Sequence, residues 1–181
     1  MKKKFPIRDE TVESPKRYLG ANIKEWQLPG GRLCWSMSSE QYVKNAVRNL
    51  KEILKNEDRT LTLKTKASTP LPHGYHPEID VSPELNHELA NRYQQFIGIL
   101  RWAVELGRID ITTEVSMMAL HNALPRVGHL EALYHMFSYL SKHDHSNLVF
   151  DDQDPNITDI LFPQQDWTEF YDDVNEAILS N

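Results

Sequence analysis

The chain has 181 residues, of which 26 are Asp or Glu and 20 are Lys or Arg, for a formal net charge of −6. No apolar run approaches the roughly 20 residues of a membrane span, and no apolar stretch follows the Lys-rich start, so a transmembrane segment and a signal peptide are both excluded. The single cysteine, Cys34, excludes an internal disulfide and a cysteine-based zinc site, so a soluble chain in the cytoplasm or nucleus is expected.

The charge is unevenly spread. Residues 1–66 hold 15 basic against 8 acidic side chains, whereas residues 67–181 hold 5 against 18. From His143 onward there are ten Asp and Glu and no Lys or Arg. Only the first third of the chain suits a polyanion, and the acidic end should avoid one.

Residues 1–15 read as a basic tail. Tyr18 to Trp26 and Leu33 to Met37 are rich in aromatic and aliphatic side chains and flank Leu28-Pro29-Gly30-Gly31, a turn signal, which predicts a β-hairpin. Leu33, Trp35 and Met37 share one face by the two-residue period, with Trp26 placed to pair across the strands. Ser38 then reads as a helix N-cap, with Gln41 positioned to complete a capping box. Val43, Ala46, Val47, Leu50, Ile53 and Leu54 follow at helical spacing. Lys44, Arg48, Lys51 and Lys55 repeat at steps of four, three and four, so they form one basic file away from that stripe. Such a file is either a solvated face paired to Glu40 and Glu52 or a contact surface for an anion.

Pro70, Pro72, Pro77 and Pro83 make the following stretch a connecting loop. Ser82-Pro83 and Asn86 offer successive helix starts. In the next helix, Tyr93, Phe96, Ile97, Leu100 and Val104 form one apolar stripe and Ile99, Trp102 and Leu106 a second. Gln94, Gly98, Arg101, Glu105 and Arg108 fill the strip between them, with Arg101, Glu105 and Arg108 spaced to pair. Apolar side chains around most of its circumference put this helix in the middle of a bundle. Gly107 reads as a left-handed helix end, and Asp110 or Thr112 as the cap of a helix carrying Ile111, Val115, Met118 and Ala119. Leu130, Leu133, Met136, Phe137 and Leu140 mark a further helix ending near His143. Asn147 to Asp151 reads as a short strand, and the acidic remainder, with Trp167, Phe170 and Tyr171, as a linker with one short helix.

No catalytic constellation emerges. The eight histidines form no H-E-x-x-H pattern, and His143 with His145 lacks matching ligands, so no metal is expected. A P-loop, a dinucleotide-binding glycine pattern and a G-x-S-x-G elbow are all missing. Phe170-Tyr171-Asp172-Asp173 mimics the adjacent carboxylates of a polymerase metal site. Its surroundings, Asp166, Glu169 and Glu176 without apolar alternation, read instead as a solvated acidic linker.

Taken in order, Tyr18-Leu19-Gly20, Trp35-Ser36-Met37-Ser38, Tyr42-Val43-Lys44, Thr69-Pro70-Leu71, Tyr93-x-x-x-Ile97-Gly98, Arg108-x-Asp110-Ile111 and Pro125-x-x-x-His129-Leu130 resemble the copia class of retrotransposon reverse transcriptases. The resemblance runs from about Lys16 to Asp151 and covers the region between the catalytic Y-x-D-D hairpin and the ribonuclease H domain. It implies a mainly α chain with a small β-hairpin, an α+β fragment that is not compact. Its segments would be a basic tail (1–15), a primer-grip-like hairpin (16–37), a thumb-like helix (38–59), a Pro-containing linker (60–85), a helical connection bundle (86–145) and an acidic linker toward ribonuclease H (146–181).

The same resemblance implies function. The palm carboxylates and their magnesium would lie upstream of Met1, so this part of the RNA-directed DNA polymerase binds no cofactor and is not catalytic alone. Its partners would be the RNA/DNA template–primer duplex and the remainder of the Pol polyprotein, with no membrane. A thumb helix holds duplex phosphates through Lys and Arg without reading sequence, which favours the contact reading for Lys44, Arg48, Lys51 and Lys55. Lys24 and Arg32 on the hairpin are weaker candidates, and Trp26 and Trp35 would position a primer end or pack the hairpin. The alternative is a domesticated or decayed fragment of the transposable element that acts as a helical protein-interaction module.

Overall fold

The computed structural model describes residues 16–56 and 67–153. The expectations for residues 1–15 and 154–181, including the decoy Asp172-Asp173, lie outside them. All the elements below belong to one unit, residues 1–151.

The hairpin forms where the turn chemistry predicts it. Strand β2 (Ala21–Gln27) and strand β3 (Leu33–Ser38) run antiparallel. Gly30 and Gly31 take φ of +103° and +87° in the turn, and the Leu28 N–H donates to the Arg32 carbonyl at 2.8 Å. Side-chain-bearing residues disfavour such positive φ. The hairpin is the centre of a larger sheet, because β1 (Arg17–Tyr18) pairs outside β2, and β4 (Asn147–Phe150) pairs outside β3. The order is β1-β2-β3-β4, all antiparallel. Trp26 does not pair with the Leu33–Trp35–Met37 face as expected: it lies opposite Cys34, and Trp35 lies opposite Glu25 and Phe150. Because side chains alternate across a sheet, the two tryptophans are on different faces.

Helix α1 (Glu40–Asn56) buries Val43, Ala46, Val47, Leu50 and Leu54 along one stripe. Its start differs from the expected capping box. The Ser39 carbonyl accepts from the Val43 N–H, and Gln41 donates to Asn45 rather than reaching back to Ser38. Ser38 instead ends β3, where its hydroxyl donates to the Ser146 carbonyl beside β4. The same hydroxyl accepts from the Glu40 N–H at 3.4 Å, so Ser38 serves the sheet edge and the start of α1 together.

Helix α2 (His87–Glu105) starts at Asn86, whose side chain accepts from the Leu89 N–H at 2.9 Å. Tyr93, Phe96, Ile97, Leu100 and Ala103 are buried. The expected second apolar stripe is only partly realised: Leu106 is buried, but Trp102 is 41% exposed. With small Ala103 facing inward, α2 packs along one side and leaves the other to solvent. Phe96 meets Phe137 and Tyr134 edge-on at 5.5 and 6.0 Å, and the Tyr93 hydroxyl donates to the Met118 carbonyl at 2.6 Å. Helices α3 (Thr112–Ala119) and α4 (Val127–Lys142) complete a core to which α1 also contributes. The two helical segments therefore pack more closely than an open fragment would.

The turn after α2 is where the polar file ends. Gly107 has φ +101°, and a Cβ there would come within 3.4 Å of Leu148 and 3.5 Å of Met37. Arg108 is 1% exposed and does not pair with Glu105. Its guanidinium grips Asp110 through Nε and Nη2 at 2.8 and 2.7 Å, and Nη1 donates to the His143 carbonyl at 2.8 Å. Asp110 therefore caps no helix, and α3 has no side-chain cap. Tyr139 donates a further hydrogen bond to Asp110 at 3.0 Å. The end of α4 is thereby tied to the α2–α3 turn, which sets the position of Asp144 and His145.

The proline-containing loop is pinned to the start of α4. The His129 Nδ1 accepts from the Arg126 N–H, so its proton sits on Nε2 and faces the Pro77 carbonyl at 3.0 Å. Asp80 accepts from the Tyr75 hydroxyl and the Ser82 N–H, each at 2.8 Å.

Burial alone would raise the Asp110 and Asp80 carboxyls, but the Arg108 fork and the Ser82 and Tyr75 hydrogen bonds outweigh it and hold both below the ordinary carboxylate range. A folded-state pKa depressed in this way contributes stability above the unfolded value of about 3.9 and loses it as pH falls through the folded value. Chemical denaturation followed below pH 4 should therefore show a steep acid-side loss, made shallower by Asp110→Asn. An unchanged slope in that variant would contradict the assignment.

Candidate nucleic-acid interface

The period that buries Val43, Val47, Leu50 and Leu54 turns Lys44, Arg48, Lys51 and Lys55 outward, and all four are exposed. Three of them share a concavity. Lys44, Arg48 and Lys51 line a groove of about 270 Å³ with Val47, Ser141 and Asp144, between α1 and the end of α4. Lys55 lies one helical turn beyond Lys51 on the same side of α1.

The four cations are not equivalent. Lys44 is ion-paired with Glu40 and lies 3.5 Å from Asp144. Its hydrogen bond to Glu40 chiefly raises the Lys44 ammonium pKa and lowers that of the Glu40 carboxyl. The His145 ring sits between the same two carboxylates, 3.2 Å from Glu40 and 3.3 Å from Asp144. Arg48 donates to the Asn45 side chain at 2.9 Å. Among the described residues, Lys51 and Lys55 make no ion pair, and the expected pairing to Glu52 is not made. A fully ion-paired solvated face would have committed these two charges as well.

The hairpin candidates do not join this groove into one cluster. Lys24 lies over the Trp26 ring at 5.4 Å, a cation–π contact on one face of the sheet. Arg32 is paired with Asp151 at 2.5 Å. On the other face, Trp35 sits opposite Phe150 with Leu33 two residues before it. These three are 39%, 51% and 63% exposed, and form an apolar patch. Among the described residues, no three His, Cys, Asp or Glu side chains gather to hold a metal ion, and no helix is long and apolar enough to cross a membrane.

The sequence names Glu40 as an ion-pair partner of the file, and that pair is made, whereas Ser141, Asp144 and His145 were missed as members of the site. Glu40 was visible as a helical neighbour of Lys44, four residues away. The others lie about a hundred residues downstream, and only the packing of α4 on α1 brings them to the cations. No family model, curated protein or solved structure matches this chain.

Proposed function

We propose that this chain is a non-catalytic part of a copia-type reverse transcriptase that grips the template–primer duplex through the exposed face of α1 and links the polymerase to ribonuclease H. The observation that supports it best is the outward basic file, with three of its cations lining one groove and, among the described residues, only Lys44 of the four spent on carboxylates. Lys and Arg so arranged contact phosphates irrespective of sequence, and each contact displaces condensed counterions. On this reading the Y-x-D-D carboxylates and their magnesium belong to a palm outside these 181 residues.

Titration of a short RNA/DNA hybrid at several salt concentrations tests the reading. Affinity should fall log-linearly with salt, with a slope of roughly −2 to −4 for a few phosphate contacts. Reversing Lys44, Arg48, Lys51 and Lys55 to Glu should weaken binding at least ~10-fold at low salt. Equal binding by the two proteins would remove the grip assignment. The exposed Leu33–Trp35–Phe150 patch favours the second reading, a domesticated or decayed fragment serving as a protein-interaction module. It would then remain as the leading candidate surface.

A further inference from the structure

We propose that Asp144, together with Glu40, is a built-in counter-anion that competes with an incoming phosphodiester for Lys44 and so limits how tightly the groove holds a duplex. The inference rests on the phosphate-binding reading of the groove given above.

The geometry distinguishes Lys44 from the rest of the file. Its ammonium already has two carboxylates, one from its own helix and one from the residue after His143. Asp144 also lines the groove, so it stands where a phosphate oxygen would approach Lys44. The Asp144 side chain is only 21% exposed, and the adjacent His143 carbonyl is held by Arg108. The counter-anion therefore sits on a fixed piece of backbone. Arg48 and Lys51, with the Ser141 hydroxyl, are left to receive the phosphate. Lys44 contributes only to the extent that the phosphate displaces its carboxylates. The charged and titratable groups facing Lys44 are Glu40 on α1 and Asp144 beyond α4, with His145 between those two carboxylates. A protonated imidazole there would work in the opposite sense, by neutralising the competitors.

A double-mutant cycle on the full chain, read by RNA/DNA hybrid titration at one fixed pH, tests this. Asp144→Asn should tighten binding roughly 3- to 10-fold at low salt and steepen the salt slope by about one contact. Glu52→Gln, which removes an equal charge from α1 outside the groove, should do clearly less. Lys44→Gln should cost little in the native background and more in the Asp144→Asn background, where Glu40 alone is left to compete with the phosphate for the ammonium. Glu40→Gln gives a second route to the same readout should Asp144→Asn lose its fold by circular dichroism. If Asp144→Asn and Glu40→Gln bind no better than Glu52→Gln, while the fourfold charge reversal still abolishes binding, the counter-anion role is overturned and the grip stands. If the fourfold reversal changes nothing, both fall.

Discussion

Replacing Arg108 with alanine lowers the stability of the fold by about 3–5 kcal/mol, measured as a shift in the urea midpoint at unchanged slope. The guanidinium is almost wholly buried and makes two parallel hydrogen bonds to Asp110 and a third to the His143 carbonyl, beneath the Tyr139 ring. Without it the carboxylate keeps only the Tyr139 hydroxyl as a side-chain donor among the described residues, the carbonyl loses its donor, and a void opens where α4 meets the α2–α3 turn. Asp110 remains about one-third exposed, so water relieves part of the stranded charge and the lower end of the range is expected. Arg108→Lys should recover only part of the loss, because an ammonium cannot reproduce the planar fork. An alanine variant within about 0.5 kcal/mol of the native protein, the range of an ordinary surface substitution, would refute this role. The same variant frees the backbone that carries Asp144, so duplex binding should change alongside stability.

Gly128→Ala destabilises the fold by about 1–3 kcal/mol, although alanine is ordinarily the better helix former by about 1 kcal/mol. The reversal comes from a neighbour across the loop. A Cβ on Gly128 would lie 1.9 Å from Asp80 Oδ2, 2.8 Å from its Cγ and 3.1 Å from Oδ1. The carboxylate has little room to withdraw, since Tyr75 and Ser82 each hold one of its oxygens. Asp80→Ala should itself be destabilising, because it strands those two donors. Combined with Gly128→Ala, however, it removes the obstruction, and the double variant should lie close to Asp80→Ala alone. Strict additivity of the two losses in thermal or urea unfolding would show that the clash is not what makes this position require glycine.

Much of the secondary structure was legible in local chemistry. The Pro-Gly-Gly turn, the 3.6-residue stripe of α1, the Asn86 cap and the glycine after α2 each depend on residues within a few positions of one another. The basic file was legible for the same reason: the period that buries Val47 and Leu50 forces Lys44, Arg48 and Lys51 outward. Where a residue had two possible partners, local reading chose the one at helical spacing. Helical spacing offers Ser38 a capping box with Gln41, but its hydroxyl divides between the Glu40 N–H and the Ser146 carbonyl, and it offers Arg108 a pair with Glu105, but the guanidinium forks onto Asp110. The Ser146 and Asp110 contacts are set by sheet pairing and burial, which local spacing does not encode.

By itself the sequence determined which faces of the helices are apolar, where the chain turns, and that four cations line one side of α1, because helical and strand periods are properties of the backbone. Only the tertiary structure decided that the hairpin gains a fourth strand, that Arg108 locks the end of α4, and that Asp144 and His145 reach Lys44. Those contacts join residues 35 to 115 positions apart, and they arise from the shape of a shared core rather than from any local pattern.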